Sequence, residues 1–193
     1  MEEKKYAVLI DGDNISSKYL DSILNEMTKY GIATYKRIYC DFTSQQSSKW
    51  RRLVRDSGIQ AMQQFANTVG KNATDSTLII DAMDILYTGN VDGFCIVSSD
   101  GDFTRLAIRL KESGMDVIGM GESKTPRSFR AACTVFTDLE ILYEAESEDD
   151  EISTKGKKPA VKHNVVKVSE IENVIIEIIN ENNNKGRRTC LLY

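Results

Sequence analysis

The chain has 193 residues, 41% hydrophobic and 28% charged, a balance that suits about one globular domain with an appendage and excludes fibrous, collagenous and wholly disordered classes. Its 25 basic and 29 acidic side chains leave a formal charge of -4, which excludes a generally basic body that captures nucleic acid by charge alone; such a partner must be held by a local patch or through metal ions. No run of about 18 uncharged apolar residues exists, and Met1-Glu2-Glu3-Lys4-Lys5 lacks the apolar core of a secretory signal, so a cytoplasmic protein with no membrane association is expected.

Short β-rich apolar runs alternate with helical patterns from residue 6 to about 143, which is the mark of a mainly parallel sheet covered by helices on both faces. Strands are expected at 6–10, 33–40, 59–65, 94–98, 116–120 and 134–136, and helices at 16–30, 47–57, 74–87 and 103–113. Gly31, Gly58, Gly89 and Gly114 follow these helices, as suits the left-handed backbone that often closes a helix. Cys40, Cys95, Cys133 and Cys190 are far apart and form no C-x-x-C pair, so they read as reduced, mostly buried small hydrophobes.

After residue 143 the sequence turns acidic, from Glu144 to Glu151, and then lysine-rich, from Lys155 to Lys162, with few apolar residues. Residues 144–167 therefore read as a linker between a domain at 1–143 and a tail at 168–193. His163, the one histidine, falls in that linker and reads as solvated, so no histidine base is expected. In the tail, Val168, Ile171, Val174, Ile175, Ile178 and Ile179 recur at helical spacing. Such a helix has an apolar face to cover, by docking on the main domain or on another chain; a homo-oligomer or a helix-mediated protein partner would serve.

In an open parallel sheet the side chains that do chemistry collect at the carboxyl ends of the strands. The first strand runs into Asp11-Gly12-Asp13-Asn14, and the fourth into Ser98-Ser99-Asp100-Gly101-Asp102. Two acidic turns on one sheet edge repel each other unless protonated or neutralised, and hard divalent cations such as Mg²⁺ or Mn²⁺ are the natural neutralisers. A third acid, Asp75, falls within the apolar stripe of its helix formed by Leu78, Ile79, Ala82, Ile85 and Leu86 and so faces inward, with Asp81 on the flank as a supporting residue and Asp84 outside. Each acid taken singly is equally a helix cap or a turn residue. Convergence of three elements on one edge is what favours a metal site.

Clustered aspartates holding metal ions suit phosphodiester hydrolysis without a nucleophilic side chain. Lys49, Arg51, Arg52 and Arg55 surround Trp50, an arrangement compatible with phosphate contacts and a base stacked on the indole, or with a solvated basic face over a packed Trp50. Lys71, Lys124 and Arg127 lie in segments expected near the same edge.

The order of these motifs, Leu9-Ile10-Asp11-Gly12-Asp13-Asn14, then Lys71-x-x-x-Asp75 through Asp81-Ala82-Met83, then Val97 to Phe103, then Gly121 to Pro126, resembles the NYN domain of the PIN-like nuclease superfamily in its LabA-like branch. The resemblance covers residues 5–143. It implies a Rossmann-like three-layer α/β fold and a Mg²⁺-dependent ribonuclease site, and single-stranded RNA is the expected partner. Carried over, Asp11, Asp75, Asp100 and Asp102 would be the catalytic metal-binding set, with Asn14 and Ser98 or Ser99 lining it; Asp13 is expected beside them as a supporting residue. The start of the tail resembles the beginning of a LOTUS, or OST-HTH, RNA-binding module, whose remaining helices and wing do not follow. Two other readings remain open: a PIN-like scaffold that binds RNA or protein without turnover, and a HAD-type phosphatase with Asp11 and Asp13 as its acid pair. Asn14-Ile15 and the short route into the first helix fit the phosphatase poorly.

Overall fold

The computed structural model describes residues 3–45, 47–65 and 73–154. Strand β1 (Lys5–Asp11) is buried at every position after Lys5. Such an unbroken apolar run, without polar alternation, is what a strand covered on both faces requires. Strands β2 (Ile32–Cys40), β3 (Gln60–Gln63), β4 (Gly93–Val97), β5 (Asp116–Gly121) and β6 (Val135–Asp138) complete a six-stranded sheet of order β3-β2-β1-β4-β5-β6. All of its pairings are parallel.

Helices α1 (Leu20–Met27), α2 (Ser48–Ser57) and α6 (Leu139–Thr154) cover one face, burying Leu20, Ile23, Met27, Trp50 and Leu139 against Val8, Ile10 and Val97. Helices α3 (Ala73–Thr88), α4 (Thr104–Glu112) and α5 (Arg127–Ala132) cover the other, where Leu78, Ala82, Leu106, Leu110 and Phe129 meet Leu9, Phe94 and Ile96. The result is the expected three-layer α/β architecture. Gly58 closes α2 at φ 62°, inside the left-handed region. Cys40, Cys95 and Cys133 are buried free thiols, and burial pushes the Cys133 thiol up to about 11. Cys190 and His163 lie outside the described residues.

Helix α6 runs on to Thr154 through residues expected to be linker. The absence of apolar residues there said nothing against helix, because Glu and Ala are good helix formers. Ser22 Oγ and Asn25 Nδ2 of α1 both donate to the Glu146 carboxylate, and the Tyr19 and Tyr143 rings meet edge to face at 5.6 Å. Thr154 also ends the first of the two units into which the chain divides. The remainder of the expected linker and the tail helix lie outside the described residues.

The chain fills one side of β1 with β2 and β3, then returns to place β4 on the other side. The switch point between the carboxyl ends of β1 and β4 is therefore a crevice by construction. Ile10 pairs with Val97 in that register, so the Asp11 and Ser98 turns emerge side by side.

Candidate metal centre

Asp75, Asp100 and Asp102 each bring a carboxylate oxygen to within 4.8 Å of the others. Two of them come from the turn after β4 and the third from the first turn of α3. Asp75 is half-buried above Leu78, Ala82 and Ile85, as its place in the apolar stripe requires, while Asp84 is exposed. Desolvation, then the charges of Asp100, Asp102 and Asp13, raise the Asp75 carboxyl above its ordinary range.

Asp11 is 1% exposed. Its Oδ2 accepts from Ser98 Oγ at 2.7 Å, and its Oδ1 from the Asn14 amide N–H at 3.3 Å. Burial raises its carboxyl to about 6; the Ser98 bond opposes that shift, and the charges of Asp75 and Asp13 add to it. Asn14 and Ser98 each bond both Asp11 and Asp100, which places Asp11 beside the trio. Ser98 does two jobs, because its Oγ also accepts from the Asp100 N–H at 3.0 Å. One hydroxyl thus ties the end of β1 to the acidic turn. The approach depends on Gly121, where a Cβ would stand 2.5 Å from the Ser98 carbonyl oxygen.

Asp100 is also the helix cap that its position allows: its Oδ1 accepts from the Asp102 N–H at 2.9 Å. Its Oδ2 accepts from Asn14 Nδ2 at 3.5 Å. Capping and clustering coexist, since a carboxylate has two oxygens. Asp13 is exposed and bridges elements, accepting from Thr74 Oγ1 at 2.8 Å and from the Asp41 N–H at 3.4 Å. Ser99 turns to the other loop, its Oγ accepting from the Glu122 N–H at 2.9 Å.

One expected role changes. Trp50 is 2% exposed and its Nε1 donates to the Gly12 carbonyl at 3.0 Å, so the indole is packed beneath the first acidic turn and offers no face to a base. Asp81, expected on the flank as a supporting residue, accepts from Arg37 and Tyr39 of β2 and fastens α3 to the sheet. Arg51 is also engaged, donating to the Phe42 carbonyl at 2.6 Å. Arg52 and Arg127 are exposed. Exposed Lys124 pairs with Glu122 at 2.9 Å, and Lys71 lies outside the described residues.

Three carboxylates gathered so closely supply the hard oxygen donors that Mg²⁺ and Mn²⁺ prefer, so the residues fit a divalent cation. Sequence reasoning missed the roles of Thr74 and Gly121. A hydroxyl at the head of a helix was the available signal for Thr74, whereas Gly121 entered only as the start of the last motif, with nothing to mark the close approach there.

The sequence model of the NYN domain family matches residues 5–140. The chain belongs to the NYN domain family. The uncharacterized protein MJ0482 of Methanocaldococcus jannaschii is 26% identical over 174 residues, which cover 87% of this chain. The chain spans 66% of that protein's length. A crystal structure of a protein of unknown function, VPA0982 from Vibrio parahaemolyticus, superposes with a TM-score of 0.59 at 18% identity, covering 72% of this chain and 96% of that one. That likeness bears on the fold alone. Among the described residues, no helix is long and apolar enough to cross a membrane.

Proposed function

We propose that this NYN protein is a Mg²⁺- or Mn²⁺-dependent ribonuclease of the LabA-like kind, hydrolysing phosphodiester bonds of single-stranded RNA in the cytoplasm. The approach of the Asp75, Asp100 and Asp102 carboxylates to within 4.8 Å carries this reading. A dication held there supplies charge neutralisation for the phosphate and activation of water. Asp75, Asp100 and Asp102 would hold it, and Asp11 adds a neighbouring negative charge. Ser98 and Asn14 fix where Asp11 and Asp100 point. Exposed Arg52 and Arg127 are among the cations available to RNA phosphates, as is Lys124 on release from Glu122.

The phosphatase reading loses ground to the same geometry. An aspartyl nucleophile must meet its phosphorus atom, whereas Asp11 is buried with both oxygens accepting hydrogen bonds. The testing experiment is cleavage of single-stranded RNA by the full chain with Mg²⁺ or Mn²⁺, with EDTA, and after Asp100→Asn. Loss of cleavage by about 100-fold or more in a folded variant is expected. Undiminished cleavage by that variant would remove the site, and RNA retention without cleavage by the parent would favour a binding module.

A further inference from the structure

A polar cleft of about 430 Å³ opens on the other side of the first acidic turn, lined by Asp13, Asn14, Ser16, Ser17, Lys49 and Glu122 among others. Two of its lining residues face both ways. Asn14 donates to Asp100, and Asp13 accepts from Thr74 at the head of the helix that carries Asp75. The cleft and the acidic trio therefore share a wall one side chain thick.

Three donors in the cleft are uncommitted. Neither the Ser16 and Ser17 hydroxyls nor the Lys49 ammonium has a hydrogen-bond or ion-pair partner among the described residues. Ser16 occupies a cap position without making a side-chain cap bond. Asp13 puts a carboxylate on the wall, and Glu122, paired with Lys124, puts a second there, so a phosphate inside meets the Asp13 charge, while groups that donate hydrogen bonds find acceptors. Lys49 stands on exposed α2, one turn before exposed Arg52, and is the cation on which a phosphate at the rim can rest. The volume lies at the lower end of small-ligand pockets; it suits one nucleoside and is too small for a base pair.

We propose that this cleft seats the ribose and base of one unpaired ribonucleotide adjacent to the scissile bond, with Lys49 on the neighbouring phosphate at the rim. The proposal rests on the ribonuclease reading for its substrate. The ribose 2′-hydroxyl, both donor and acceptor, matches walls that offer serine hydroxyls beside a carboxylate, and it separates RNA from DNA. Trp50 supports the cleft from below by holding the Gly12 carbonyl.

Binding of a fluorescein-labelled single-stranded oligoribonucleotide, followed by anisotropy with Ca²⁺ in place of Mg²⁺, tests the cleft separately from catalysis. Ser16→Trp fills the cleft and Lys49→Glu reverses its rim charge; Asn90→Trp, on the opposite sheet edge, is the control. Each is first checked by thermal unfolding, and Lys49→Glu on a solvated helix face guards against misfolding of the other. Both cleft variants are expected to raise Kd about tenfold or more, Asn90→Trp to leave it within about twofold, and the preference of the parent for RNA over the matching DNA to shrink in Ser16→Trp. Parent-like binding by folded Ser16→Trp and Lys49→Glu overturns the cleft even if Asp100→Asn has abolished cleavage. Loss of binding in both, with a parent that cleaves nothing, supports the cleft and removes the nuclease reading instead. A parent that binds no single-stranded RNA overturns the cleft outright.

Discussion

Ser98 Oγ donates to Asp11 Oδ2 at 2.7 Å, joining the carboxyl ends of β4 and β1 in a place that water does not reach. The same oxygen accepts from the Asp100 N–H, so a single hydroxyl satisfies a buried carboxylate and orients an acid of the trio. Ser98→Ala leaves both partners short of a bond. A loss of about 1–3 kcal/mol is expected for such an unsatisfied buried group, together with a further rise in the Asp11 pKa. Urea unfolding measures the first and carboxyl NMR titration the second; an unchanged Asp11 titration would show that the bond contributes little.

Asp11 makes metal-free stability depend on pH. Its folded carboxyl sits at about 6 against 3.8 for the ordinary group, so between those values the folded state keeps a proton that the unfolded chain has released. The contribution of this group is present in full below about 3.8 and is lost as pH rises through about 6, a change of about 3 kcal/mol. Asp75, raised by desolvation and neighbouring charge, acts in the same direction. In EDTA, Asp11→Asn is therefore expected to stabilise the chain at pH 8 by about 1–3 kcal/mol and to do little near pH 4. Equal effects at both values would contradict the burial argument.

Much of this arrangement was legible in the chain. The runs of β1 and β4 announced buried strands, and the acidic turns after them marked the switch point before any topology was known. The stripe through Leu78, Ala82 and Ile85 turned Asp75 inward. Trp50 carried its own signal: with Leu53, Val54 and Ser57 it lies at positions i, i+3, i+4 and i+7, the buried stripe of α2. The basic residues around it belong to the opposite face. Ser98 and Ser99 were harder to tell apart. Which of two adjacent serines meets Asp11 depends on strand pairing and side-chain parity, and both are properties of the assembled sheet. Helix α6 escaped notice because composition reports apolar supply, whereas Glu146 is held by Ser22 and Asn25 from a helix more than a hundred positions away.

The pair of Asp81 with Arg37 lies between α3 and β2, with side chains 15% and 19% exposed, and Tyr39 donates to the same carboxylate. Removing the acid leaves a guanidinium and a phenol without their acceptor in a largely dry place. Asp81→Ala is expected to cost about 2–4 kcal/mol, while Asp81→Asn, which keeps one acceptor, costs less. The double-mutant cycle with Tyr39→Phe checks the coupling, and additive losses would separate the two contacts. Asp75 rides on the same helix two turns earlier, so Asp81→Asn is also expected to weaken Mn²⁺ binding while the protein stays folded.

Cation binding itself is the last consequence of the crowded carboxylates. In the folded chain Asp75, Asp100 and Asp102 repel one another within 4.8 Å, and unfolding relieves that repulsion. A dication that binds only the gathered arrangement stabilises it by about 2.7 kcal/mol at a hundredfold excess over its Kd. Thermal unfolding midpoints are therefore expected to climb with Mn²⁺ or Mg²⁺ and to return to baseline with EDTA. Asp100→Asn removes one charge from the trio but keeps an acceptor for the Asp102 N–H, so the fold survives and the cation response is lost. Protons are expected to leave as the metal enters, because Asp75 and Asp11 titrate above their ordinary range; calorimetry in two buffers of different ionisation enthalpy counts them. A midpoint indifferent to Mn²⁺ at millimolar concentration would mean that the three carboxylates gather without holding a cation.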